Sequence, residues 1–149
     1  MKPLPATAAV ATIAVFWLGL VFGVSFLATL AKFNAPSLAL PVALDVGRHT
    51  FAWLARTEWV VAAGLAITLV LSGLYPFRTA ALVILVAILL LQALWLLPAL
   101  SARVDIVQAG ATLPPSPLHF ISVACETGKL LLLLFVAGAA LRDLIRSSS

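Results

Sequence analysis

The chain has 149 residues, of which 64% are hydrophobic and only 9% charged, with a mean hydropathy of +1.20 and a formal net charge of +4. Soluble domains carry roughly 25% charged residues, so this composition excludes a water-soluble globule and requires a large surface facing lipid. The basic residues are scattered singly, with neither a basic run nor an interleaved aromatic platform, which excludes a nucleic-acid partner and leaves membrane lipids.

A helix needs about 20 apolar residues to cross a hydrocarbon core of roughly 30 Å. The sequence predicts four such spans, at 8–31, 57–74, 79–100 and 118–141, which together make 1–149 one membrane domain. The expected fold is all-α: an integral membrane four-helix bundle with an interfacial amphipathic helix between its first and second spans. The first span is longer than the 7–15 residues of a signal-peptide core, so it reads as a retained span. Within it, Gly19 and Gly23 form a GxxxG pair that predicts close helix packing inside the bundle. Pro36 and Pro41 then stop the helix.

Residues 42–56 mix Val42, Leu44, Val46, Phe51, Trp53 and Leu54 with Asp45, Arg48, His49 and Arg56. That mixture is too polar for a span and too apolar for a solvated loop, and it fits an amphipathic helix at the membrane surface. No breaker separates it from Glu58 and the second span, where Gly64, Thr68 and Ser72 mark a packing face. Tyr75-Pro76-Phe77-Arg78 predicts a tight turn into the third span. Residues 101–117, with Gly110 and the cluster Pro114-Pro115-Ser116-Pro117, read as a loop before the fourth.

Four spans put both termini on one side. Lys32, Asp45, Arg48, His49, Arg56, Glu58, Arg103, Asp105 and His119 gather at the opposite end, while Lys2, Arg78, Arg142, Asp143 and Arg146 flank the terminal end. The simple basic flanks place the termini in the cytoplasm, for which a bacterial inner membrane is the expected setting.

Glu126 and Lys129 are the strongest candidates for chemistry. They lie about 12 and 16 Å into the fourth span, where a charge costs at least about 2.5–3.5 kcal/mol and by default marks a functional site. His119, Glu126 and Lys129 share one helix stripe, and Gln92 reaches a similar depth on the third span. A bare Glu–Lys pair or interhelical glue explains the same residues structurally. Asp45 and His49 are spaced i, i+4, which orients an imidazole or simply faces water. His49 and His119 are the only histidines, the minimum for a bis-histidine haem, but no attachment motif accompanies them. With Cys125 the only cysteine, the ligands for zinc or copper are too few, and no metal is expected. No catalytic triad, phosphate loop or deaminase pattern is present, so an enzyme is not expected.

Lys32-Phe-Asn-Ala-Pro-Ser-Leu, Asp45-Val-Gly-Arg-His-Thr-Phe, Glu58-Trp59 and the His119, Glu126, Lys129 series carry a resemblance. In layout the chain resembles small four-helix membrane proteins of unknown function, distantly like the transmembrane protein 205-like group. The resemblance implies the fold and no activity. Small size and missing catalytic motifs lead to the expectation of an accessory or assembly subunit, whose partners are other membrane protein subunits. A proton-coupled transporter using Glu126, Lys129 and His119 is the alternative, and a haem protein the third.

Overall fold

A computed structural model describes residues 4–148; Lys2 lies outside them. Four long helices make up the chain: α1 (Leu4–Phe33), α2 (Leu40–Ser72), α3 (Pro76–Gln108) and α4 (Leu118–Ser147), each long and apolar enough to cross a membrane. No strand occurs among the described residues. This is an all-α four-helix bundle of membrane-span helices. Each helix packs along two neighbours, α1 against α4 and α2, and α3 against α2 and α4. Short connections between successive antiparallel helices give this up-and-down order.

The buried positions show why these segments pack as they do. In α1 they are Thr7, Val10, Ala11, Ala14, Trp17 and Val21, and in α2 they include Leu54, Glu58, Ala62, Leu65, Leu69 and Ser72. Spacing of three or four residues keeps each set on one helical stripe. The opposite faces expose Val60, Ile67, Val83, Leu94, Phe120 and Leu131, the apolar surface that lipid covers. Ala and Leu fill the central core at the terminal half of the bundle, from Val10 to Val21, Ala62 to Leu69, Ala81 to Leu89 and Leu133 to Ala140.

The amphipathic segment 42–56 is helical, as its pattern predicts, but it does not form a separate element. It is the first half of α2, which begins with Pro41 in its first turn and continues unbroken to Ser72. At 1.5 Å per residue α2 is about 50 Å long, so one end projects beyond the hydrocarbon. The first span also begins earlier than expected, at Leu4.

A second difference concerns residues 101–117. The expected loop is helical through Gln108, and only 109–117 connect α3 to α4. Pro98 does not end α3, because the preceding turn, Gln92–Leu96, is a π-helix. Wider i→i+5 bonding before a proline relieves the clash of its ring with the carbonyl four residues back. α1 carries a second π-helical stretch, Phe22–Ala28. Both stretches begin just where the close-packed core ends, one residue beyond Val21 in α1 and three beyond Leu89 in α3. Glycines at positive φ close two helix ends, Gly73 at 95° after α2 and Gly110 at 81° after α3.

Gly19 and Gly23 do not pack inside the bundle. A Cβ at either position would meet nothing within 4 Å, because the pair lies on the outward face of α1. The inward stripe is set by Ala14, Trp17 and Val21, which leaves no rotation in which both glycines also point inward. Gly64 does face a neighbour, with Ile13 Cδ1 3.8 Å from the place of a Cβ.

Candidate functional site

At mid-bundle the four helices meet through a polar network instead of a hydrocarbon core. Lys129 of α4 is fully buried and donates to both oxygens of Glu58 of α2, at 2.7 Å to Oε1 and 2.9 Å to Oε2. Its ammonium also lies 3.0 Å from Oε1 of Glu126, one turn earlier on α4. The same Glu126 oxygen accepts from Nε2 of Gln92 on α3 at 2.7 Å, while Oε2 accepts from the Ser25 hydroxyl of α1 at 2.8 Å. Trp17 of α1 closes the other side, its indole N–H donating to Glu58 Oε1 at 2.9 Å. Every helix therefore contributes at least one side chain.

The local backbone explains part of this convergence. Ser25 lies in the π-helical stretch of α1 and Gln92 opens that of α3. A π turn shifts the helical phase by about one residue, and here both shifted residues bond to Glu126. Thr29 supports the first stretch by donating to the carbonyl of Val24 at 3.3 Å, five residues back.

The charge count of the network is unusual for a buried site. Glu58 is 2% exposed and Glu126 3% exposed, and they share one ammonium. With both carboxylates ionised the cluster is one unit negative, and an uncompensated charge in a dry interior is costly. A proton or an added cation removes that imbalance.

Beyond the network, towards the projecting helix ends, the bundle encloses a vestibule of about 600 Å³. Its walls are largely apolar and draw on all four helices, with Phe26, Leu30 and Phe33 from α1, Leu44 and Phe51 from α2, Leu97 and Val104 from α3 and Val123 from α4. Ser25 and Glu126 form its floor, and Lys32, Arg48 and His119 also line it. The volume falls within the roughly 300–1,000 Å³ of small-molecule sites, which combine apolar walls with a few convergent polar groups.

The mouth is held by a second ionic group. Arg48 of α2 bonds to Asp45 one turn earlier and to Asp105 on the extended end of α3. Lys32 lies with its ammonium 4.7 Å over the Phe33 ring, and Gly47 makes room for it, since a Cβ there would run into the ammonium.

The structure thus brings together Glu126, Lys129 and Gln92, and separately Asp45, Arg48 and Asp105. His119 shares the vestibule wall with Glu126 but makes no hydrogen bond to the network. Glu58, grouped by sequence with the polar end, belongs to the buried network. His49 stays on the exposed flank, 68% exposed, with Nδ1 3.0 Å from the Asp45 carbonyl and 3.6 Å from its carboxylate. Arg56 lies over the Trp53 ring at 4.9 Å, and Arg103 donates to the Pro114 carbonyl at 2.7 Å, tying down the α3–α4 connection. Trp17 and Ser25 are network members that sequence reasoning missed. The position of Trp17 was a usable signal, because tryptophan in a span favours the interfaces and a buried indole N–H needs an acceptor. Among the described residues no group of three or more His, Cys, Asp or Glu is placed to hold a metal ion.

No family model, curated protein or solved structure matches the chain.

Proposed function

We propose that this protein is a small proton-coupled carrier that admits a membrane-partitioned molecule to the vestibule. One observation carries the reading: Glu126 belongs at once to the vestibule floor and to a buried cluster with two carboxylates for one ammonium. Glu126 is the coupling carboxylate, Lys129 its counter-charge and His119 a relay at the wall. A structural role alone accounts for a balanced pair but not for the surplus acid beside a cavity. The setting is the bacterial inner membrane with both termini cytoplasmic, supported by the exposed Arg142 and Arg146 at the terminal end.

The test is gentle purification and identification by mass spectrometry of any small molecule retained at one per chain. Added to vesicles that contain the protein and an internal pH dye, that molecule should drive proton movement with the wild type and none with Glu126→Gln. Equal proton movement in a monodisperse Glu126→Gln protein overturns the reading.

An accessory-subunit reading is favoured by a different observation, the outward Gly19 and Gly23, which leave a shallow stripe on lipid-facing α1 where another helix fits closely. It expects a stoichiometric membrane partner that the double variant Gly19→Leu, Gly23→Leu loses. Full retention of the partner by that variant counts against it.

A further inference from the structure

Four of the five acidic residues in the chain form two pairs that each share one base, and these two groups reach the vestibule through Glu126 at its floor and Arg48 at its wall. At the mouth Asp45 and Asp105 flank Arg48, and at the floor Glu58 and Glu126 flank Lys129. Each trio is one unit negative when its acids are ionised. Lys32 adds one positive charge at the wall, so the two trios and Lys32 together sum to one unit negative within a chain of net charge +4.

Three phenylalanines, Phe26, Phe33 and Phe51, line the vestibule. An aromatic face attracts a cation within about 6 Å of its centroid, and the Lys32 ammonium already lies 4.7 Å over Phe33. An anionic head would find only Lys32, because the Arg48 guanidinium is divided between two carboxylates.

We propose that the ligand of this vestibule is a singly charged hydrophobic organic cation, its charge set against Glu126 and its apolar groups against the phenylalanine wall. The proposal rests on the carrier reading and names its substrate class. Cation and proton then satisfy the same deficit in turn, so arrival of the cation releases a proton from the Glu58–Glu126 pair to water at the mouth. The titratable and charged groups around Glu126 are Lys32 on α1, Glu58 (through Lys129) and Arg48 on α2, and His119, Cys125 and Lys129 on its own helix, while Ser25 on α1 and Gln92 on α3 donate hydrogen bonds to it. Among them Glu58 is the other carboxylate, and the two share the exchanging proton.

Tetraphenylphosphonium and tetraphenylborate have the same shape and opposite charge, and titrating each into the protein in lipid nanodiscs, with empty nanodiscs subtracted, reads the sign of the site. Tetraphenylphosphonium should bind roughly tenfold or more tightly than the borate. Glu126→Gln should lose that margin and the accompanying proton release, whereas Lys32→Ala, which removes a like charge that no carboxylate on the wall offsets as Asp45 and Asp105 offset Arg48, should strengthen cation binding severalfold. Preference for the borate, or no binding of either above the lipid background, overturns the proposal. An infrared protonated-carboxyl band that titrates in the wild type and is missing in Glu126→Gln separates the two ideas. If the band is present and the cation does not bind, the substrate class is wrong and proton exchange stands. If the band is absent, the carrier reading falls with it.

Discussion

Lys129 holds two almost fully buried carboxylates, and the consequence of removing it follows from that alone. In Lys129→Met, Glu58 and Glu126 remain 2% and 3% exposed without a counter-charge. Breaking a buried ion pair by deleting one partner costs about 3–5 kcal/mol. Equilibrium unfolding in mixed detergent should show that loss, and adding Glu58→Gln and Glu126→Gln to the same protein should recover most of it, because neutral amides leave no buried charge unpaired. A Lys129→Met protein as stable as the wild type would mean that water reaches the cluster freely. Trp17→Phe makes a smaller cut, removing one donor to a charged acceptor at 2.9 Å, for which about 1.5–3 kcal/mol is the expected loss in the same assay. The Glu126–Lys129 pair was legible in the sequence because its members are one turn apart in an apolar run. The partners of Trp17 and Ser25 were not, since they lie 41 and 101 residues away and only the packed bundle brings them together.

At the scale of the helix, the four spans and the turn at Pro76 were readable from apolar length and breakers, whereas the two π stretches were not. Nothing in Phe22–Ala28 distinguishes it by composition from an ordinary span, and the proline that accounts for Gln92–Leu96 reads in isolation as a helix end. The loop expected over 101–117 rested on Gly110 and the Pro114–Pro117 cluster, breakers that act only beyond Gln108. The π turn before Pro98 has a testable consequence. In Pro98→Ala the ring no longer opposes the carbonyl of Leu94, so the turn should relax to α-helical bonding. A one-residue phase change swings Gln92 by roughly 100° relative to the far end of α3 and moves its amide off Glu126. Amide exchange across Gln92–Leu96 should slow by roughly tenfold as regular hydrogen bonds form. Unchanged exchange would show that packing against α2 and α4, not Pro98, maintains the wide turn.

The whole molecule is polarised along its axis. The half near the termini holds the close-packed core, and the half near the α1–α2 and α3–α4 connections holds the vestibule, with the Glu58–Lys129–Glu126 cluster on the boundary. Direction in the membrane therefore decides which compartment the vestibule faces. At the vestibule end Arg48 is engaged by Asp45 and Asp105, so it contributes little free positive charge to orientation. At the other end Arg78 is buried against Asp143, but Arg142 and Arg146 remain exposed. Unneutralised basic residues near the span ends stay in the cytoplasm, so the vestibule should open to the opposite side. Cys125 is the only cysteine, and Cys125→Ser supplies a thiol-free background in which single cysteines report sidedness. Ser37→Cys in the α1–α2 connection and Thr112→Cys in the α3–α4 connection should react with a membrane-impermeant maleimide on intact cells. Ser147→Cys should react only after permeabilisation. The reverse pattern would place the vestibule mouth in the cytoplasm, and a carrier drawing a cation through it would then take its ligand from inside the cell in exchange for a proton released there.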